Sequence, residues 1–261
     1  MKKTLVSLGA VALLGYIALC AVMYFDQDRL LYFPSPESDQ PGYHALRLQN
    51  GDVTLKVWEL HPDAGPAMIY FGGQGDDVGD NLVGFDSAFR DRAIYLVNYR
   101  GYGGSSGHPR EAGLISDAEF VYDWVAARHT GVVAMGRSLG TGVATALASL
   151  RPVTGLVLVT PYDSIANVAS DRYPWLPVRL LIKDTYDSAA RIGKVKVPIL
   201  VLVAGRDESI LRPRTVALAA AITPGLGHIV MIPTAGHNDI DTAPEYWPSL
   251  ETFLHQTLSQ H

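Results

Sequence analysis

The sequence lacks several features that define large classes of protein. It has one cysteine, Cys20, among 261 residues, which excludes a disulfide framework and any metal site built from several cysteines. It has no basic excess, because 21 Lys and Arg stand against 26 Asp and Glu, and a nucleic-acid binder usually carries a basic surface. Charged residues make up 18% and apolar residues 48% of the chain. We therefore expect a folded protein with a large core and no nucleic-acid partner.

The first apolar concentration lies at the N-terminus. Residues 5–25 contain no charge, and as a helix they would span roughly 30 Å, the thickness of a hydrocarbon core. A cleavable signal has only about 7–15 apolar residues. The pattern favours a signal anchor over residues 1–25, a linker over 26–42 and one domain over 43–261. The alternatives are secretory cleavage near residues 18–20 and a lipoprotein at Cys20, which Leu19 disfavours.

Two lysines at the start of the chain indicate an orientation. Lys2 and Lys3 precede the apolar segment, and positive charge marks the cytoplasmic side. We therefore expect a single-pass protein whose domain lies outside the cytoplasm, which means the periplasm in a bacterium. The domain would be secreted if the segment is cleaved.

The rest of the chain alternates short apolar runs with helix-like stretches. Most of the runs are continuously apolar, which is typical of strands that are buried on both faces of a parallel sheet. The predicted strands are 53–60, 67–71, 94–99, 132–135, 156–160, 199–204 and 229–232, and the predicted helices are 80–90, 115–129, 139–150, 214–222 and 248–258. This alternation predicts an α/β domain with a mostly parallel, doubly wound sheet, whose ligand site lies beyond the carboxyl ends of the strands.

The strongest motif follows the predicted strand 132–135. Residues 136–140 read Gly-Arg-Ser-Leu-Gly and precede a predicted helix, which is G-x-S-x-G in a strand–turn–helix context. The glycines leave room for a sharp turn that holds Ser138 as a nucleophile. The start of the helix supplies free N–H groups for a developing oxyanion.

A serine nucleophile needs a base, and the base needs an acid to orient it. Among the eight histidines, His237 directly follows the last predicted strand. Asp207 follows the strand 199–204 and is the favoured acid, whereas Asp163, after the strand 156–160, is the alternative. The order Ser138, Asp207, His237 is that of α/β-hydrolases.

A second oxyanion donor is expected after the strand 67–71. The loop there reads Gly72-Gly73-Gln74-Gly75 and has little side-chain bulk, so its backbone can approach a substrate. The predicted donors are the backbone N–H groups of Gln74 and Leu139.

These motifs resemble the α/β-hydrolase-fold serine hydrolases, in particular a small membrane-anchored branch that includes bud-emergence-type proteins and their bacterial relatives. The resemblance extends from about Leu30 to the C-terminus. One departure is that the family's His-Gly-Asn reads Gly72-Gly73-Gln74 here, which leaves the backbone donor but changes the side chains near a substrate. The segments that carry the resemblance are 30–34, 98–103, 136–140, 160–164, 197–198, 205–207 and 236–237.

The predicted function is hydrolysis of a carboxylic ester or thioester through an acyl-enzyme, with no metal or organic cofactor. The expected partners are a small or lipid-like acyl substrate and a membrane bound through the N-terminal helix. The alternatives are a serine peptidase and an inactive, membrane-tethered binding protein of the same fold. The stretch between the strands 156–160 and 199–204 leaves room for only a short cap, which predicts an open, shallow pocket. Such a pocket buries few methylenes, each of which contributes about 0.8 kcal/mol. We therefore expect a preference for acyl chains of about two to eight carbons.

Overall fold

The computed structural model describes residues 2–258, which are organised around an eight-stranded sheet. Residues 1 and 259–261, at the ends of the predicted anchor and domain, lie outside the described part. The strand order is β1-β2-β4-β3-β5-β6-β7-β8, in which β2 is antiparallel to both neighbours and the pairs from β4 to β8 are parallel. The strands are β1 (His44–Asn50), β2 (Val53–Leu60), β3 (Pro66–Phe71), β4 (Ala93–Val97), β5 (Gly131–Arg137), β6 (Gly155–Val159), β7 (Ile199–Ala204) and β8 (Gly227–Ile232).

Helices cover both faces of the sheet, as the buried apolar clusters show. One cluster contains core residues of α3, α4 and α8, and the other contains those of α2 and α9. The helices are α1 (Lys2–Leu31), α2 (Leu82–Ala88), α3 (Glu111–Ala126), α4 (Leu139–Leu150), α5 (Ile165–Arg172), α6 (Val178–Leu181), α7 (Ser188–Ile192), α8 (Arg212–Ala220) and α9 (Tyr246–Leu258).

The predicted fold class is confirmed, and the differences lie in particular elements. The sequence pattern missed β1, an edge strand that is partly exposed and mixes polar with apolar residues. Residues 78–81 form a 3₁₀ turn, so the predicted helix 80–90 is confined to α2. The last helix begins at Tyr246 rather than at Pro248, which still lies in the first turn, where an N–H has no helical partner.

The N-terminal helix is longer than predicted. It ends at Leu31 rather than at residue 25, so residues 26–31 of the predicted linker continue the helix. Within residues 2–258, α1 is the helix that is long and apolar enough to cross a membrane, over Ser7–Leu31.

A buried ion pair joins α3 to the loop that follows β4. Asp117 in α3 is 3% exposed and accepts hydrogen bonds from Arg100 Nε and Nη2, both at 2.7 Å, and from Asn50 Nδ2 at 2.8 Å. Removing one partner of such a pair leaves the other charge without compensation. This contact therefore holds the 98–103 loop, one of the segments singled out in the sequence, against the helix layer.

We expect Asp117→Ala to lower the free energy of unfolding by about 3 kcal/mol, because Arg100 loses its counter-charge in a mostly buried setting. The matched control is Asp123→Ala in the same helix, since Asp123 forms an equally well-aligned but exposed pair with Arg151. That change should cost about 1 kcal/mol or less. Urea denaturation of both variants measures the difference, and equal losses would contradict the structural role of Asp117.

Candidate active site

The turn between β5 and α4 holds Ser138 in a strained conformation. Its backbone has φ 50° and ψ −118°, a left-handed φ that a non-glycine residue rarely adopts. A Cβ added at Gly136 would lie 2.2 Å from the Gly140 carbonyl oxygen, and one added at Gly140 would lie 2.1 Å from the Phe71 carbonyl oxygen. Both glycines are therefore required by space, and the turn presents Ser138 at the carboxyl edge of the sheet.

Two neighbouring turns bring Asp207 and His237 together. The Gly205 N–H donates to the Ile232 carbonyl at 2.9 Å, and the Arg206 N–H donates to the Ala235 carbonyl at 2.9 Å. A Cβ on Gly205 would lie 2.6 Å from the Pro233 carbonyl oxygen. The turn after β7 thus packs backbone to backbone on the turn after β8, and Asp207 lies beside His237.

A chain of hydrogen bonds links the three predicted side chains. His237 Nδ1 lies 2.8 Å from Asp207 Oδ2, and His237 Nε2 lies 2.9 Å from Ser138 Oγ. Because a carboxylate only accepts, Nδ1 carries the hydrogen, and the Nε2 lone pair of the neutral ring accepts from the serine hydroxyl. The second carboxylate oxygen of Asp207 accepts the N–H groups of Ser209 at 2.9 Å and Ile210 at 2.7 Å, which fixes its orientation.

The alternative acid, Asp163, has other partners. It is 4% exposed, and its carboxylate accepts from Ser164 N–H at 2.8 Å, Asn167 Nδ2 at 2.7 Å and Arg214 Nη1 at 3.2 Å. These contacts tie the start of α5 to α8. Geometry therefore places Asp207, and not Asp163, against His237.

The loop after β3 packs against Ser138. A Cβ built on Gly73 would lie 3.4 Å from Ser138 Cβ. The Gly73 N–H is already bound to Asp76 Oδ2 at 2.7 Å, and the Tyr99 hydroxyl donates to the Gly72 carbonyl at 2.7 Å. Gln74, the predicted donor, follows directly, and its side-chain Nε2 donates to the Leu30 carbonyl at 3.0 Å.

Leu139, the other predicted donor, is the first residue of α4. A residue in the first turn of a helix has no intrahelical partner for its N–H. Leu139 directly follows Ser138 in the chain, and Gln74 directly follows Gly73, which packs against Ser138. Their role as oxyanion donors remains a prediction.

Sequence reasoning missed Arg137, Asp76 and Tyr99. Arg137 Nη2 donates to the Asn238 carbonyl at 2.9 Å and lies 3.4 Å from the His237 carbonyl oxygen, so it holds the backbone of the histidine turn. Arg137 could have been identified from the sequence, because it is a charged residue at the end of a buried strand. Asp76 and Tyr99 act through the backbone of the 72–74 loop, which the sequence does not show.

An open groove of about 520 Å³ extends from Gln74. We call it the site groove. Ser209, whose N–H binds Asp207, lies at one side, and Leu30 and Leu31 of α1 lie at another. The remaining wall comes from α5, including Ile165 and Val168. Its volume is within the roughly 300–1,000 Å³ of ligand-binding clefts.

The chain has relatives over nearly its whole length, although no protein-family model matches it. It is 33% identical to an uncharacterized protein of Mycobacterium tuberculosis over 257 residues, which cover 89% of each chain. It is 27% identical to protein bem46 of Schizosaccharomyces pombe, covering 88% of this chain and 82% of bem46. An alpha/beta hydrolase domain-containing protein of Arabidopsis thaliana is 25% identical, and the alignment covers 91% of this chain and 90% of the Arabidopsis protein. An uncharacterized membrane protein of Saccharomyces cerevisiae is 26% identical and covers 97% of both chains.

Solved structures share the fold at low identity. An esterase of Pyrococcus furiosus superposes with a TM-score of 0.70 at 15% identity, covering 87% of this chain and 98% of the esterase. Est1E of Butyrivibrio proteoclasticus, solved with ferulic acid bound, gives 0.67 at 14% identity, covering 82% of this chain and all of Est1E. Together with the full-length relatives, these likenesses mean that the chain belongs to the α/β-hydrolase family, in the branch that contains protein bem46.

Proposed function

We propose that this α/β hydrolase cleaves carboxylic ester or thioester bonds through an acyl-enzyme formed on Ser138. The observation that carries the proposal is the position of His237, which bridges Ser138 Oγ and Asp207. This is the arrangement in which a neutral imidazole removes the serine proton while a carboxylate stabilises the imidazolium.

The reaction proceeds in two halves. Ser138 Oγ attacks the carbonyl carbon while its proton passes to His237 Nε2, and the N–H groups of Leu139 and Gln74 stabilise the oxyanion. Collapse of the tetrahedral intermediate breaks the bond to the leaving alkoxide or thiolate, which takes the proton from Nε2. Water then attacks the acyl-enzyme with His237 as base, and this releases the acid and restores Ser138.

The proposal extends to the membrane. The segment Ser7–Leu31 contains an 18-residue stretch with a mean hydropathy of 2.2, and the aligned yeast relative is described as a membrane protein. With Lys2 and Lys3 on the cytoplasmic side, the hydrolase domain lies outside the cytoplasm.

Ser138→Ala should abolish labelling by a fluorophosphonate probe and lower turnover of a nitrophenyl ester by roughly 10⁶-fold, because the variant cannot form the acyl-enzyme. Ser149→Ala is the matched control, since Ser149 lies in α4 and its hydroxyl only bonds the Ala146 carbonyl. It should label like the wild type. Continued labelling of the Ser138 variant at the wild-type rate would refute the nucleophile assignment.

The two acidic residues give opposite expectations. Asp207→Asn should slow turnover by roughly 10⁴-fold, because an amide no longer stabilises the required His237 tautomer. Asp163→Asn should leave turnover within a few fold and instead reduce stability, because it weakens the pair with Arg214. Steady-state rates and thermal unfolding of both variants measure this contrast, and the reverse ranking of the rates would move the acid to Asp163.

Full-length protein should remain in the membrane pellet after washes with high salt and with carbonate, because the apolar burial of α1 exceeds any surface charge contribution. Immunoblots of pellet and supernatant provide the measurement. A mature chain that begins near Ala21 would show instead that the segment is cleaved as a signal.

A further inference from the structure

The N-terminal helix contacts the short cap over much of its length. We use the term cap segment for residues 173–182, which follow α5 and include α6. The Tyr16 hydroxyl donates to the Trp175 carbonyl at 3.0 Å, and Gln27 Nε2 donates to the Leu181 carbonyl at 3.1 Å. Gln27 Oε1 also accepts the N–H of Lys183 at 2.7 Å. The cap segment therefore lies alongside α1 as far down as Tyr16.

The end of α1 is built into the domain. The Tyr32 hydroxyl donates to Asp184 Oδ2 at 2.8 Å, and the Tyr186 hydroxyl lies 2.8 Å from that of Tyr32. Burial raises the pKa of Tyr32, so its phenol stays protonated and donates. Arg110, before α3, pairs with Asp28 of α1. These contacts fix the direction in which α1 leaves the domain.

With α1 crossing a bilayer, as proposed above, that direction places the start of the cap segment within the depth of the bilayer. Tyr16 lies nine residues before Phe25, the last residue of the charge-free stretch, which is about 13 Å along a helix and nearly half of a ~30 Å hydrocarbon core. The cap segment exposes Trp175, 54%, and Leu180, 83%. Trp175, whose carbonyl binds Tyr16, lies where lipid would cover its side chain.

The backbone hydrogen bonds of the cap segment are also compatible with a position in lipid. In lipid, backbone groups need partners within the protein. Pro174 and Pro177 have no N–H, while Tyr16 and Gln27 of α1 serve two carbonyls of the segment. The N–H groups of Leu176, Val178, Leu180 and Ile182 bond to carbonyls within the cap segment.

Charged residues mark the upper boundary of this surface. Lys183 Nζ lies 4.1 Å from the centroid of the Tyr24 ring. The exposed Arg172 directly precedes the cap segment, and Arg179, within it, donates from Nη2 to Asn167 Oδ1 of α5 at 2.9 Å. An aromatic and cationic border of this kind is typical of the interface between lipid tails and headgroups.

An apolar cleft leads from this surface to the site groove. It has a volume of about 120 Å³ and lies between α1 and the α5–α6 region, with Met23 at its outer end and Ala169 and Tyr173 on the facing wall. It shares Leu30 and Leu31 with the site groove, which reaches Gln74. From Met23 to Leu31 this path follows α1 for about 12 Å.

We infer that α1 and the cap segment form a membrane-immersed entrance, through which the acyl chain of an ester-linked membrane lipid passes from the leaflet to Ser138. This inference rests on the proposed hydrolase function and on α1 crossing the membrane. It differs from the short-chain expectation drawn from the sequence, because α1 supplies a pocket wall that the cap alone lacks. The occupant of the cleft is one acyl chain, since the cleft is narrow and apolar.

Immersion is tested by tryptophan fluorescence of the full chain in vesicles of brominated phosphatidylcholine. Trp175 should be quenched, so Trp175→Phe should remove most of the quenched emission. The control Trp124→Phe should not, because Trp124 lies on α3 beside Tyr95 and His129, toward the amino edge of the parallel strands. Equal quenching of the wild type and Trp175→Phe would overturn the immersion of the cap segment, whether or not the protein is active.

The path is tested by chain-length selectivity in the same vesicles. Ala169→Trp places a large ring in the cleft, and it should lower the ratio of kcat/KM for a hexadecanoyl ester to that for a butanoyl ester by about tenfold, equivalent to about two buried methylenes. The control Ala166→Trp lies on the same helix outside both cavities and should change the ratio by less than about twofold. An unchanged ratio for Ala169→Trp in an active enzyme would overturn the entrance alone. A wild type that hydrolyses neither ester and takes no probe would overturn the proposed function, and the acyl path with it.

Discussion

The site depends on one backbone contact, the approach of the first turn of α4 to the end of β3. No side chain fits between Gly140 and the Phe71 carbonyl, and β3 and β5 are adjacent with Phe71 opposite Gly136. The same contact that sets the turn at Ser138 therefore brings the loop after β3 beside it. Because both elements are fixed by the sheet, Ser138 and the backbone of the loop after β3 are held before any substrate arrives, as the proposed stabilisation of an oxyanion requires.

Sequence reasoning located the residues that follow parallel strands directly. Ser138, Asp207 and His237 are each within a few residues of a strand end, and parallel strands present their carboxyl ends at one edge. Because only a few residues separate each of these side chains from its strand end, their positions in the sequence are enough to predict that they lie close together. Position alone does not distinguish Asp207 from Asp163, since both follow strands, and only the packing of the turns after β7 and β8 separates them.

The rest of the site depends on contacts that no local pattern reveals. Arg137 holds the histidine turn through carbonyls about one hundred positions away. Asp76 and Tyr99 shape the 72–74 loop through its backbone. The edge strand β1 is not predicted from the sequence for another reason. It is partly exposed and contains polar residues, so it lacks the continuous apolar run that marks most of the other strands. In each case a tertiary partner decides the structure.

The N-terminal helix shows the limit of reasoning from composition most clearly. An apolar run shows what lipid tolerates and gives no information on which face touches protein. Composition therefore does not single out Tyr16 and Gln27, although they bind carbonyls more than 150 positions away. A flexible linker would let the domain turn freely above a membrane, and each encounter with substrate would then carry an orientational cost. With Tyr32 and Asp28 fixed in the domain, that ordering is completed on folding. Under the inferred entrance, the distance from the leaflet to Ser138 is then a property of the fold, and binding energy of the acyl chain remains available to position the ester carbonyl.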